Sequence, residues 1–167
     1  MNRRFRTVVL AFVASLLLLV PATRAAAQWV ARGALAGVPV LQDCNETSGD
    51  VAVSRRHPPA IYVCPTVVRL IRKQYPGAEH FYLVHEYGHV VEDTADEKIA
   101  DCWAAKALAT APNGARYLLA VIELLRRRPD ERSPRYGTPS ERAERIRFCA
   151  EEERADALVV APVPRRR

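Results

Sequence analysis

Five consecutive residues, His85-Glu86-Tyr87-Gly88-His89, constrain this chain more than any other stretch. On a helix, residues four apart lie about 6 Å along the axis and on one face, so the two imidazoles can hold a single Zn²⁺. The flanking sequence supports a helix there. Phe81, Leu83, Val84, Tyr87, Val90 and Val91 form a buried helical stripe from Glu79 to about Val91. Glu86 then projects beside the metal rather than onto it. There it can take a proton from a water polarised by the ion and pass it to a leaving group. Gly88 leaves room for another chain or a ligand to approach closely.

A catalytic zinc site needs a third protein ligand and one open position. In a continuous helix Asp93 would lie about 12 Å and Glu97 about 18 Å along the axis from His85, too far to share an ion with it. The chain must therefore turn after about Val91, and the polar stretch Glu92 to Asp96 is where it can, although no glycine or proline forces it. One long helix is the alternative. Given the turn, Glu97 and Asp101 enter the next helix one turn apart, Glu97 as the third ligand and Asp101 as the acceptor that orients a ligand histidine. Asp93 and Asp96 compete for the ligand role. Thr94 to Glu97 also fits a capping box, with Thr94 as N-cap and Glu97 reaching back. A third ligand six residues after His89 is excluded, because that position is Ala95.

With these residues the sequence resembles the gluzincin metallopeptidases, in which H-E-x-x-H is followed by E-x-x-x-D. Glu97-Lys98-Ile99-Ala100-Asp101-Cys102-Trp103-Ala104-Ala105 is similar to the E-x-x-A-D-x-x-A-A helix of small bacterial members of the M48 type. Pro59 to Val63 before the motif and Pro139-Ser140-Glu141-Arg142 after it are similar to further elements of those relatives. The link of seven residues between His89 and Glu97 is shorter than theirs. The resemblance implies an α+β, zincin-like fold, with a small, mainly antiparallel sheet packed on the helix hairpin that holds the metal. It also implies hydrolysis of peptide bonds with Glu86 as general base. His80, Tyr136, Arg142 and Arg145 are candidate donors to the oxyanion of such a reaction. Ile61 to Val63 is a candidate edge strand for binding extended peptide.

The first residues have another role. Arg3, Arg4 and Arg6 precede an apolar run of about 14 residues, and Ala25-Ala26-Ala27 then supplies small side chains, the layout of a secretory signal peptide covering residues 1–27. Four arginines and no acids lie in that segment, so its removal lowers the formal net charge from +6 to +2. A charge that small gives no reason to expect nucleic acid as a partner, and no second apolar run predicts stable insertion in a membrane. A peptide or protein substrate is the expected partner, in the periplasm or outside the cell.

Residues 28–154 are expected to form one domain with one core, followed by a loosely ordered tail over 155–167. Cys44, Cys64, Cys102 and Cys149 all follow the leader, where oxidation is allowed, so two disulfides are expected. Of three possible pairings, Cys44 with Cys64 and Cys102 with Cys149 are favoured because each joins neighbouring parts of the chain. Two other functions compatible with the sequence are a zinc-binding module without turnover and a disulfide-stapled scaffold that binds no metal.

Overall fold

A computed structural model describes residues 37–160; the expected leader, the start of the domain and residues 161–167 lie outside the described residues. Three short strands come first, β1 (Val40–Gln42), β2 (Ala52–Arg56) and β3 (Pro59–Val63). Five helices follow: α1 (Pro65–Gln74), α2 (Ala78–Val91), α3 (Glu97–Ala109), α4 (Gly114–Arg126) and α5 (Pro139–Val160). The architecture is α+β. Proline sits in the first turn of α1, where its missing N–H costs nothing. The α5 helix runs to Val160, past Ala155, where the sequence predicts loose order. Glutamate, arginine, alanine and leucine after Cys149 are strong helix formers, and they carry the helix onward.

The sheet is mixed rather than mainly antiparallel. Its order is β1-β3-β2, with β2 antiparallel and β1 parallel to β3. The reason lies in the Cys44–Cys64 disulfide. Each of these cysteines follows the C-terminal end of its strand, so the bridge holds those two ends side by side, and adjacent strands with matched ends run parallel. Strand β3 is consequently central, and Ile61 to Val63 has no free edge for a peptide. Among the described residues, the free edge beside the helices belongs to β2. The second disulfide joins Cys102 of α3 to Cys149 of α5.

Helix α2 is the centre of the packing and is buried almost all round. Phe81 and Val84 enter the main core with Ala104, Leu108, Leu118, Val121, Leu125 and Ile146 of the other helices. Tyr87 packs with Ala52 and Ile61 against the sheet. Its remaining face carries His85, Glu86 and His89.

Between α2 and α3 the chain turns without glycine or proline. Asp93 adopts φ +43°, the left-handed conformation that ends helices, and the Thr94 N–H returns to the His89 carbonyl. Aspartate tolerates that conformation better than most residues. The long-helix alternative is thereby excluded. The close approach that Gly88 permits is made by α3 itself: a Cβ there would lie 3.1 Å from the Ala100 carbonyl oxygen and 3.2 Å from the Ala100 Cα.

Backbone cannot yield as a flexible side chain does. Gly88→Ala is therefore expected to push the two helices apart and to lower the unfolding free energy by about 1–3 kcal/mol, measurable by urea denaturation, despite the gain in helix propensity.

Candidate metal centre

The turn after Val91 brings the N-terminus of α3 back beside the histidine face of α2. The Nε2 atoms of His85 and His89 lie 3.1 Å apart, and Glu97 Oε2 is 3.0 Å from the first and 3.2 Å from the second. All three side chains are buried, His85 and Glu97 at 2 % exposure each. Glu97 is free to point inward because it does not cap its helix. Asp96 is the N-cap, accepting from the Lys98 N–H at 2.8 Å, while the Thr94 hydroxyl oxygen accepts from the Asp96 N–H at 3.0 Å. The N-cap is thus Asp96 rather than Thr94, and the capping box expected from the sequence does not form, since the third helical residue after this cap is the apolar Ile99. Asp93 is also no ligand: it is exposed and faces Arg56 and His57.

The second nitrogen of each ring decides what the first can do. His89 Nδ1 lies 2.9 Å from the Thr94 carbonyl oxygen. A carbonyl only accepts, so Nδ1 carries the proton and Nε2 of the neutral ring presents a lone pair. His85 Nδ1 lies 2.9 Å from Asp101 Oδ1, an ion-pair distance with imperfect hydrogen-bond alignment. This carboxylate is an acceptor too and selects the same tautomer. Two ring nitrogens and a carboxylate oxygen therefore converge on one point, an arrangement that needs positive charge there, from a proton or from a metal ion. Tetrahedral zinc with bonds of about 2.0–2.1 Å has ligand–ligand edges of about 3.3–3.4 Å. The observed triangle is slightly smaller, so these three residues could hold a metal ion after a slight outward adjustment.

The electrostatics express the same demand for positive charge. Burial disfavours a charged His85, but Asp101 and Glu97 outweigh it and raise its proton affinity. Burial likewise opposes ionised Glu97, yet His85 and His89 hold its pKa far below the usual carboxylate range. Asp101, at 0 % exposure, is held at about 2 against the cost of burial by His85 and Arg142. Arg142 donates Nε and Nη2 to it at 2.8–3.1 Å, and Arg145 donates Nη2 to it at 3.0 Å. Glu86, by contrast, has its pKa raised by burial, partly offset by His85 and a hydrogen bond from Ser54.

A cleft of about 650 Å³ opens over this group. Strand β2 lines one side, His85, Glu86 and His89 lie at its base, and Arg135 and Tyr136 line the other side. Of the four candidate oxyanion donors, Tyr136 stands in the cleft, with its ring 6.4 Å from that of His85, and burial together with the nearby Glu97 charge raises the pKa of its phenol. Arg142 also borders the cleft, but it and Arg145 are engaged with Asp101. His80 instead stacks on Tyr117, with ring centroids 4.2 Å apart. Sequence reasoning missed Ser54, which donates to Glu86 Oε2 at 2.7 Å. It also missed Arg135, which pairs with Glu97. Ser54 did leave a trace as a polar residue two positions from Ala52, on the strand face that turns inward; nothing local marks Arg135.

Comparison with known protein families, with curated proteins and with solved structures finds no match to this chain. Among the described residues no helix is long and apolar enough to cross a membrane.

The Asp101 pKa is lower folded than unfolded, so its contribution to stability is fully present above the ordinary carboxylate value of 3.8 and is lost as pH falls toward about 2. Asp101→Asn is expected to remove about 2 kcal/mol of that acid-dependent change, read as a shallower fall of urea stability between pH 4 and 2. At neutral pH the variant should lose about 3–5 kcal/mol, because Arg142 is left charged and buried.

Proposed function

We propose that this chain is an exported, zinc-dependent peptidase with a zincin-like, gluzincin-type active site, working in the periplasm or outside the cell. The observation that carries this reading is the convergence of three lone-pair donors beside the buried Glu86 carboxylate, at the base of an open cleft. Two imidazoles and a carboxylate with an open position form the ligand set of hydrolytic zinc sites, whereas calcium and magnesium prefer oxygen ligands throughout. His85, His89 and Glu97 would hold the ion, and Asp101 and the Thr94 carbonyl would keep both rings in the ligating tautomer. When bound, zinc supplies Lewis acidity and lowers the pKa of water. Two disulfides fit an oxidising compartment.

The remaining chemistry belongs to this chain's own side chains. Glu86 takes the proton of the attacking water and delivers it to the departing amine nitrogen as the C–N bond breaks, a role its raised proton affinity favours. The Tyr136 hydroxyl, kept protonated by burial and by Glu97, donates to the oxyanion that develops on the former carbonyl. Strand β2 holds the substrate. Cys64 donates to the Val51 carbonyl, which makes Val51 and Cys64 a hydrogen-bonded pair; in an antiparallel ladder Val53 and Arg55 then also bond to β3. The backbone groups of Ala52, Ser54 and Arg56 consequently face the open edge, where an extended peptide can add as a strand.

Purified protein is expected to carry about one zinc per chain by elemental analysis, and His85→Ala with His89→Ala to carry none. On a library of unfolded peptides, Glu86→Gln should keep the metal and lose at least about a hundredfold in kcat. Equal turnover by wild type and Glu86→Gln would overturn the peptidase reading, and retained zinc would then assign the chain to metal-dependent binding.

A further inference from the structure

Strand β2 contributes a side chain to the site as well as an edge. Ser54 Oγ donates to Glu86 Oε2 at 2.7 Å across 32 residues of sequence, and the carboxylate that receives it is buried. The strand that carries Ser54 is itself held to the metal helix at a second point. Arg56 Nη1 donates to the Asp93 carbonyl at 3.0 Å and to Asp93 Oδ1 at 3.2 Å, at the residue that ends the helical path of α2. Between these contacts and the packing of Ala52 on Tyr87, β2 has little freedom to slide along α2.

We propose that Ser54 is a positioning residue for Glu86, fixing its carboxylate so that one oxygen is committed to the strand and the other is presented to the attacking water. This inference rests on the peptidase reading of the site. A glutamate side chain has three rotatable bonds, and a general base works only from within hydrogen-bond reach of the proton it takes. His85 and His89 are each fixed by an acceptor at the ring nitrogen remote from the metal point. Ser54 gives the base the matching restraint through a donor, the polarity a carboxylate requires. Because the hydrogen bond also stabilises the ionised form, it tempers the rise in proton affinity that burial imposes on Glu86. The residue that orients the base thereby lies on the strand whose backbone borders the cleft, so the substrate path and the base share one rigid element.

The test uses the zinc-loaded full chain and a quenched-fluorescence peptide that the wild type cleaves. Ser54→Ala is expected to lower kcat about tenfold with KM within about twofold of wild type, because the lost contact acts on the base and not on substrate affinity. Zinc content should be unchanged, and the melting temperature should fall by only about 4 °C, the cost of one hydrogen bond lost from a buried carboxylate. Ser54→Thr, which restores a hydroxyl on a residue suited to a strand, should recover most of the loss. In a Glu86→Gln background, Ser54→Ala should change the residual rate by less than about twofold, since the restraint has no base to serve. A Ser54→Ala protein with wild-type kcat, or one whose loss persists in full on the Glu86→Gln background, overturns the inference while leaving the peptidase reading intact. A wild type that binds zinc but cleaves no peptide overturns both.

Discussion

Asp101 is ionised and shielded completely from solvent, a state that costs several kcal/mol unless the charge is paired and its lone pairs are filled. Here both conditions are met, by three elements at once. Arg142 and Arg145 bring α5, His85 brings α2, and Asp101 itself belongs to α3. Moving any of these helices would strip the carboxylate of a partner, so this charge cluster selects one mutual arrangement from the many that apolar packing alone would accept. The consequence reaches the cleft. Arg145 donates to the Tyr136 carbonyl, and the Arg142 guanidinium lies 4.2 Å from the centre of the Tyr136 ring. One carboxylate thus orients a histidine at the base of the cleft and a phenol on its wall.

The helix hairpin supplies the geometry that the cluster holds in place. Gly88 lets the backbone of α3 lie against α2, and Asp93 turns the chain within a few residues of His89. A longer link would have left Glu97 freer to adopt other positions; the short one delivers it as the first residue of its helix, within 3.2 Å of both histidines. The Cys102–Cys149 disulfide then ties α3 to α5 one residue beyond Asp101. On α3 the ionic and covalent links are neighbours in sequence, and on α5 they follow one another over about two turns, from Arg142 and Arg145 to Cys149. In the chain-entropy account a loop of this length, closed across 47 residues, restricts the unfolded chain by about 4 kcal/mol.

Strand β2 completes the arrangement from the other side. It offers the cleft a free backbone edge, it holds Glu86 through Ser54, and it meets the end of α2 through Arg56. Its place at the edge follows from β3 taking the centre of the sheet. That in turn follows from the Cys44–Cys64 bridge, which aligns the ends of β1 and β3. A disulfide remote from the histidines therefore helps decide which strand faces them.

Much of this was legible in the sequence, for reasons of short range. The 3.6-residue period marks the helices, the histidine spacing marks a shared face, and Glu97 and Asp101 follow once a turn is granted. The segment Pro59 to Val63 stands out as a strand, and the cysteine pairing follows from proximity along the chain. Tertiary structure decided what depends on contacts between distant segments. The left-handed turn at Asp93, the central place of β3, the pairing of Asp101 with two arginines about 40 residues away and the bond from Ser54 to Glu86 have no local signature. Local spacing constrains which side chains share a face, because it acts through the backbone dihedrals of one element. Which faces meet is settled only by the packing of whole elements and by the need to pair every buried charge. The histidine pair was determined by sequence alone; its convergence with Glu97 on a point that calls for a cation was decided by the fold.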